Sequence, residues 1–166
     1  MPFTLIQSKA TNLGEEIDQW RITANFTGDV DPISSNWERS DSAGFGKMGT
    51  GMTESSGIFS FPSTGYWLVR FTGIMETTNS ENNCDYKIKV TTNNSSYDAE
   101  GESTCWAAAG GTGEASAAST EILLDVTDVS NVKVCFSVGQ ADNANTTYGS
   151  STRNLTFATF IRLGDT

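Results

Sequence analysis

One stretch narrows the folds open to this chain more than any other: GIFSFPSTGYWLVRFTG, residues 57–73. Trp67, Val69 and Phe71 alternate with Tyr66, Leu68, Arg70 and Thr72. A period of two marks a β-strand, because successive side chains leave an extended backbone on opposite faces. PSTG sets Pro and Gly in turn-favouring positions between GIFSF and this strand, so two strands meet at a tight reversal. A half-buried strand needs large apolar groups on one face only. Tyr66 and Leu68 place them on the second face as well, which predicts a sheet covered on both sides.

The same period recurs along the chain. WRITANF sets Trp20, Ile22, Ala24 and Phe26 against Arg21, Thr23 and Asn25, and CDYKIKVTT sets Tyr86, Ile88 and Val90 against Lys87 and Lys89. TEILLDV and VKVCFSV, joined by TDVSN, are two further strands, and LTFATFIRL is the last. Residues 36–56, rich in Gly and Ser, read as irregular strands and turns. The small-residue run WAAAGGTGEASAAS reads as a loop or an edge strand. No segment has the pattern of a long helix. About eight to ten short strands with Gly/Ser/Asn turns between them predict an all-β fold, a β-sandwich or jelly roll. A chain of 166 residues suits one domain. At that size the core needs no staples. The expected division is an N-terminal arm over 1–19 and a jelly-roll domain over 20–166.

In the last strand, Leu155, Phe157, Ile161 and Leu163 share one face with Thr159 among them, and Ala158 and Phe160 lie on the other. The more apolar face is expected in the core. Ala158 and Phe160, together with Tyr66 and Leu68, are then the expected contact surface between copies of the chain.

Charge removes several function classes. Lys+Arg is 10 against Asp+Glu 20, a net charge of −10, and no basic cluster offers a face to phosphate. Nucleic acid and anionic membranes are therefore not expected partners. Met1 is followed by no signal pattern. No apolar run approaches the roughly 20 residues that span a bilayer. The chain is expected to be made in a cytoplasm and to remain soluble.

Catalytic constellations are also missing. The chain has no His, which removes Ser–His and Cys–His pairs and His-based metal sites. GFGKMGTGM follows no apolar strand and opens no helix, so it reads as a turn region and not a phosphate loop. Glu15/Glu16, Asp29/Asp31 and Asp142 lack calcium-loop spacing and read as solvated loop acids. No catalytic residue, cofactor or metal ligand is expected. Cys84, Cys105 and Cys135 are odd in number and form no C-x-x-C. They suggest neither a zinc site nor a disulfide framework, and pairing of Cys84 with Cys105 stays open.

GIFSFPSTGYWLVRFTG resembles the strand–Pro–turn–Gly–strand signature of the complement globular-head / tumour necrosis factor superfamily. Gly57, Phe59, Pro62, Gly65, Trp67, Val69 and Phe71 fall on its positions in order. TEILLDV…NVKVCFSVG resembles the family's late strand pair, with Asp-Val-Ser-Asn (128–131) where a Gly-Asp turn is usual. LTFATFIRL resembles its closing strand through Phe157, Phe160 and Leu163, with Thr159 where Gly is usual. The resemblance covers about residues 20–163. It implies a ten-stranded jelly roll that forms a homotrimer and binds proteins or glycans without catalysis. In style the chain is similar to the stand-alone heads of tailed-phage proteins, of the cyanophage or marine kind.

The function expected on these grounds is that of a virion structural protein, a trimeric decoration or cement protein of a phage capsid. Its partners would be itself and a major capsid or other virion protein. Residues Phe3, Leu5, Ile6, Leu13 and Ile17 of the arm would be anchors on that partner. The alternatives are the receptor-binding head of a tail fibre or spike, which would recognise a host surface glycan, and a bacterial extracellular adhesion module.

Overall fold

The structure is a computed structural model and describes residues 15–77, 83–107, 113–140 and 144–166. Twelve strands are present among them: β1 Ile17–Ile22, β2 Phe26–Thr27, β3 Trp37–Arg39, β4 Thr53–Ser55, β5 Ile58–Ser60, β6 Gly65–Thr77, β7 Asn83–Thr91, β8 Asp98–Trp106, β9 Glu114–Val126, β10 Lys133–Gln140, β11 Thr146–Thr147 and β12 Phe157–Gly164. They form two antiparallel sheets. In the first, β9 flanks the whole of β6, and the other edge of β6 carries β12 and then β11. The sheet continues from β12 to β1 and β3, and from β11 to β2. The second runs β4–β5–β10–β7–β8.

The opening stretch is the hinge between the sheets. GIFSF supplies β5 of the second sheet and GYWLVRFTG begins β6 of the first. Gly65 starts β6 with φ 135°, and a Cβ there would sit 2.3 Å from the Gly164 carbonyl oxygen. Only glycine allows that approach. Phe59 of β5 is the centre of the core. Its ring lies 5.6 Å from Trp20, 5.0 Å from Trp37, 5.4 Å from Phe136 and 5.3 Å from Phe160, centroid to centroid. Trp67, Val69, Phe71 and Met75 enter the same core from β6, and Tyr86, Ile88, Val134 and Val138 face them from the second sheet.

Beside the core, Asp18 is a buried carboxylate whose negative charge is fully met. It accepts hydrogen bonds from Trp20 Nε1 at 2.9 Å, from the Met52 amide at 2.8 Å and from Arg39 Nε at 3.0 and 3.1 Å. The Arg39 guanidinium lies over the Trp20 ring, 4.6 Å from its centroid. Buried ions persist when paired and hydrogen-bonded in this way.

Two expectations need correcting on strand bounds, and one is narrowed. WRITANF is not one strand: β1 begins at Ile17 and ends at Ile22, and Phe26 belongs to the short β2. The segment read as loop or edge strand is in part a true edge, since β9 begins at Glu114 and runs thirteen residues. Ile17 is not on a free arm. It pairs with Ile161 and forms a bridge with Met48, because the ladder between β1 and β12 extends further back than the sequence alternation does. Phe3, Leu5, Ile6 and Leu13 lie outside the described residues.

Candidate interaction surface

The register of the first sheet decides what its outer face carries. In antiparallel ladders, directly opposed residues share a face. Ile17 pairs with Ile161, Ile161 with Leu68, and Leu68 with Leu123. The Ile17–Met48 bridge adds a fifth position. Met48–Ile17–Ile161–Leu68–Leu123 is therefore a continuous apolar row across the outer face, roughly 19 Å long at the usual spacing between strands. Leu123 is 65% exposed and Met48 52%. Tyr66 and Leu163, also exposed, lie beside the row.

The next rows are polar. Gln19, Thr159, Arg70 and Glu121 follow one another across β1, β12, β6 and β9. Gln19 Nε2 donates to Thr159 Oγ1 at 3.0 Å, and Arg70 Nε donates to the Glu121 carboxylate at 2.9 Å. Beyond them come Arg21, Phe157, Thr72 and Ser119, with a 2.9 Å contact between the Thr72 and Ser119 hydroxyls. Arg21 is wholly buried, covered by β3 and the turn after it. Glu38 and Asp41 pair with its guanidinium, and Nη1 donates to Ser42 Oγ at 2.9 Å. The outer face is thus sorted into an apolar row and mainly hydrogen-bonded rows, with Phe157 the apolar side chain among them.

The structure separates the four residues expected at the contact between copies. Tyr66 and Leu68 are on the outer face, as read. Ala158 and Phe160 are not: both are fully buried in the core of a single chain. Their cross-strand partners are Phe71 and Val69, which face inward, and the ladder forces them to do the same. Packing explains the choice. Ala158 lies between Trp20 and Phe71 in adjacent strands, where a large side chain would not fit, and Phe160 fills the space beside Phe59, Phe61 and Phe136. Counting apolar residues per face inverted this strand. Phe157, Ile161 and Leu163 belong outside, and Ile17, Met48 and Leu123 join them. Leu123 could have been found from the ILL run of β9, which puts apolar groups on both faces as β6 does.

A second apolar feature lies at the open edge between the sheets. Val90, Thr92, Glu100, Ile122, Leu123 and Leu124 line a groove of about 420 Å³ between β7–β8 and β9. Leu123 belongs to both the row and the region of the groove, so the two surfaces adjoin.

Three of the acidic residues singled out in the sequence, Glu16, Asp29 and Asp31, are engaged within the chain. Glu16 accepts from the Thr50 and Gly51 amides at 3.1 and 2.9 Å, Asp31 pairs with Lys89 at 2.7 Å, and Asp29 accepts from the Gln140 amide. Asp142 lies outside the described residues. Among the described residues, no group of three or more His, Cys, Asp or Glu is arranged to hold a metal ion.

No protein-family model matches the chain, and no curated protein sequence does. Its fold has counterparts among solved structures. A structure of Eiger TNF from S. frugiperda superposes with TM-score 0.65 at 11% identity, covering 90% of this chain and 93% of that one. Murine APRIL at pH 5.0 gives 0.65 at 9% identity over 89% and 98%, and murine APRIL at pH 8.5 gives 0.61 at 9% over the same shares. Two antiparallel sheets, the hinge at 57–73 and these superpositions together identify the fold as a tumour necrosis factor-like jelly roll.

Proposed function

We infer that this chain is a non-enzymatic assembly protein that works as a homotrimer, with its copies meeting through the outer face of the first sheet. The observation that carries this reading is the apolar row Met48–Ile17–Ile161–Leu68–Leu123. A contiguous apolar row, exposed at Met48 and Leu123 and half-buried between them, with polar residues along one side, has the character of a contact surface. The row and the edge groove are different surfaces of one chain. A contact between unlike surfaces is heterologous and closes into a ring when the rotation allows. The number three comes from the family resemblance. The setting proposed for the trimer, the surface of a phage capsid, comes from the similarity of the sequence to stand-alone phage heads.

Light scattering at micromolar concentration should give about three times the 17.8 kDa monomer mass. Leu68→Asp should leave the β-sheet spectrum intact and reduce the mass to that of a monomer, because an unpaired charge in a desolvated contact costs several kcal/mol. A monodisperse wild-type monomer would end the assembly reading. The capsid setting is tested separately, by copy number in purified particles: hundreds of copies support it, and about a dozen point to a tail component and a receptor-binding role instead.

A further inference from the structure

Three cysteines look unpaired by count, but the fold treats them unequally. Cys84 of β7 and Cys105 of β8 are direct partners in the antiparallel ladder. Both face the core, both are buried, and both are free thiols in the structure. Directly opposed residues of such a ladder have Cα atoms about 4.5–5.5 Å apart. A disulfide takes Cα separations of about 4.4–6.8 Å, so two opposed cysteines on one face are within disulfide reach. Cys135 is placed differently. It lies on β10 between Val134 and Phe136, which face the core, and so points to the other side of the sheet. Its ladder partners are Ile58 and Lys89, whereas the β10 residue opposite Cys84 is Gln140, five positions away. Five residues of strand are roughly 16 Å, beyond disulfide reach.

We propose that Cys84 and Cys105 form a cross-strand disulfide when the chain folds in, or passes into, an oxidising medium, and that Cys135 stays a thiol. The bond would act on an edge strand. β8 is the outermost strand of its sheet, and Cys105 is its one fully buried residue. A bond from that residue to β7 staples the edge strand to the strand beside it. The oxidant required is a small-molecule disulfide such as oxidised glutathione. One cysteine thiolate attacks it, forms a mixed disulfide and releases one glutathione thiolate. The second cysteine thiolate then attacks the protein sulfur and releases the other. Two protein S–H bonds and one external S–S bond become one protein S–S bond and two external S–H bonds, and two electrons pass from the cysteines to glutathione. In the folded chain burial pushes the Cys84 thiol up to about 12 and raises Cys105 as well, so little thiolate is present at neutral pH. Closure therefore takes place while the chain folds, or when the β8 edge opens.

The test is to refold the full chain in a glutathione redox buffer, where access to the thiols is not limiting, and to map it by mass spectrometry after alkylation. The expected product has a Cys84–Cys105 linked peptide and alkylated Cys135. Its thermal midpoint should exceed that of the reduced protein by about 5–10 °C, since the bond closes a loop of about twenty residues. Cys135→Ser should give the same linked peptide, and Cys105→Ala should give none. Three alkylated cysteines in the refolded protein, a link involving Cys135, or a linked product that melts no higher than the reduced one would each overturn the proposal.

Discussion

At the scale of single residues, polar and ionisable groups near the core are stabilised by partners or kept neutral. Asp18 belongs to the first kind, with donors from Trp20, Arg39 and Met52 around one carboxylate. The thiols belong to the second. Burial raises Cys84 and Cys135 from 9.0 to about 12. A group whose pKa is raised by folding binds its proton more tightly in the folded chain. Its contribution to stability is complete below the unfolded value and is lost as pH rises from there towards the folded value. Under reducing conditions the protein should therefore lose stability between about pH 9 and pH 12, with a slope of at most roughly 1.4 kcal/mol per pH unit for each thiol. Thermal melts across this range check it: Cys84→Ala should flatten the decline, and an equally steep decline in that variant would assign the loss to other groups.

At the scale of elements, β12 is the strand whose two faces most need to be told apart. Phe160 is enclosed by Phe59, Phe61 and Phe136. Phe157, three residues earlier, lies on the outer face between Arg21 and Thr72. Phe160→Asp would bury an unpaired carboxylate and remove a large core side chain, a loss of several kcal/mol that a domain of this size does not withstand. Phe157→Asp replaces a partly exposed ring beside the Arg21 cluster and should cost about 1 kcal/mol or less. Expression yield and circular dichroism of the two variants distinguish the faces, and a folded Phe160→Asp beside an unfolded Phe157→Asp would reverse the assignment of β12.

At the scale of the whole molecule, the contest is between an apolar contact surface and a large charge of one sign. Each chain carries a net charge of −10. Bringing three copies together concentrates that charge, and the repulsion is long-range and screened by salt. Burial of the apolar row depends on salt far less. Raising NaCl from about 0.05 M to about 0.5 M should therefore strengthen the proposed assembly, because the Debye length falls from well over 10 Å to a few Å. Sedimentation at a series of protein concentrations reads this directly. Assembly that weakens with salt would mean that ion pairs between copies hold it, and the apolar row would lose its role.

Much of this fold was open to reading in one dimension. The alternation in YWLVRFT marked both faces of β6 correctly, since a strand's period of two is a local property of the backbone and survives any packing around it. Gly65 and the PSTG turn placed the reversal between the sheets for the same local reason. Tyr66 and Leu68 were identified as outward-facing by their position in that strand alone. What needed the tertiary structure was every decision that depends on a neighbouring strand. LTFATFIRL has apolar residues on both faces, and the local pattern favours the wrong one; Trp20, Phe71 and the rings around Phe59 leave room only for Ala158 and Phe160 inside. The apolar row exists through register, which joins Met48, Ile17, Ile161, Leu68 and Leu123 from distant parts of the chain. Cys84 and Cys105 likewise became a pair, and Cys135 a single thiol, only when the ladder between β7 and β8 set two of them opposite each other. Periodicity is written residue by residue along a strand, whereas the choice of face and partner belongs to the packing of strands against one another.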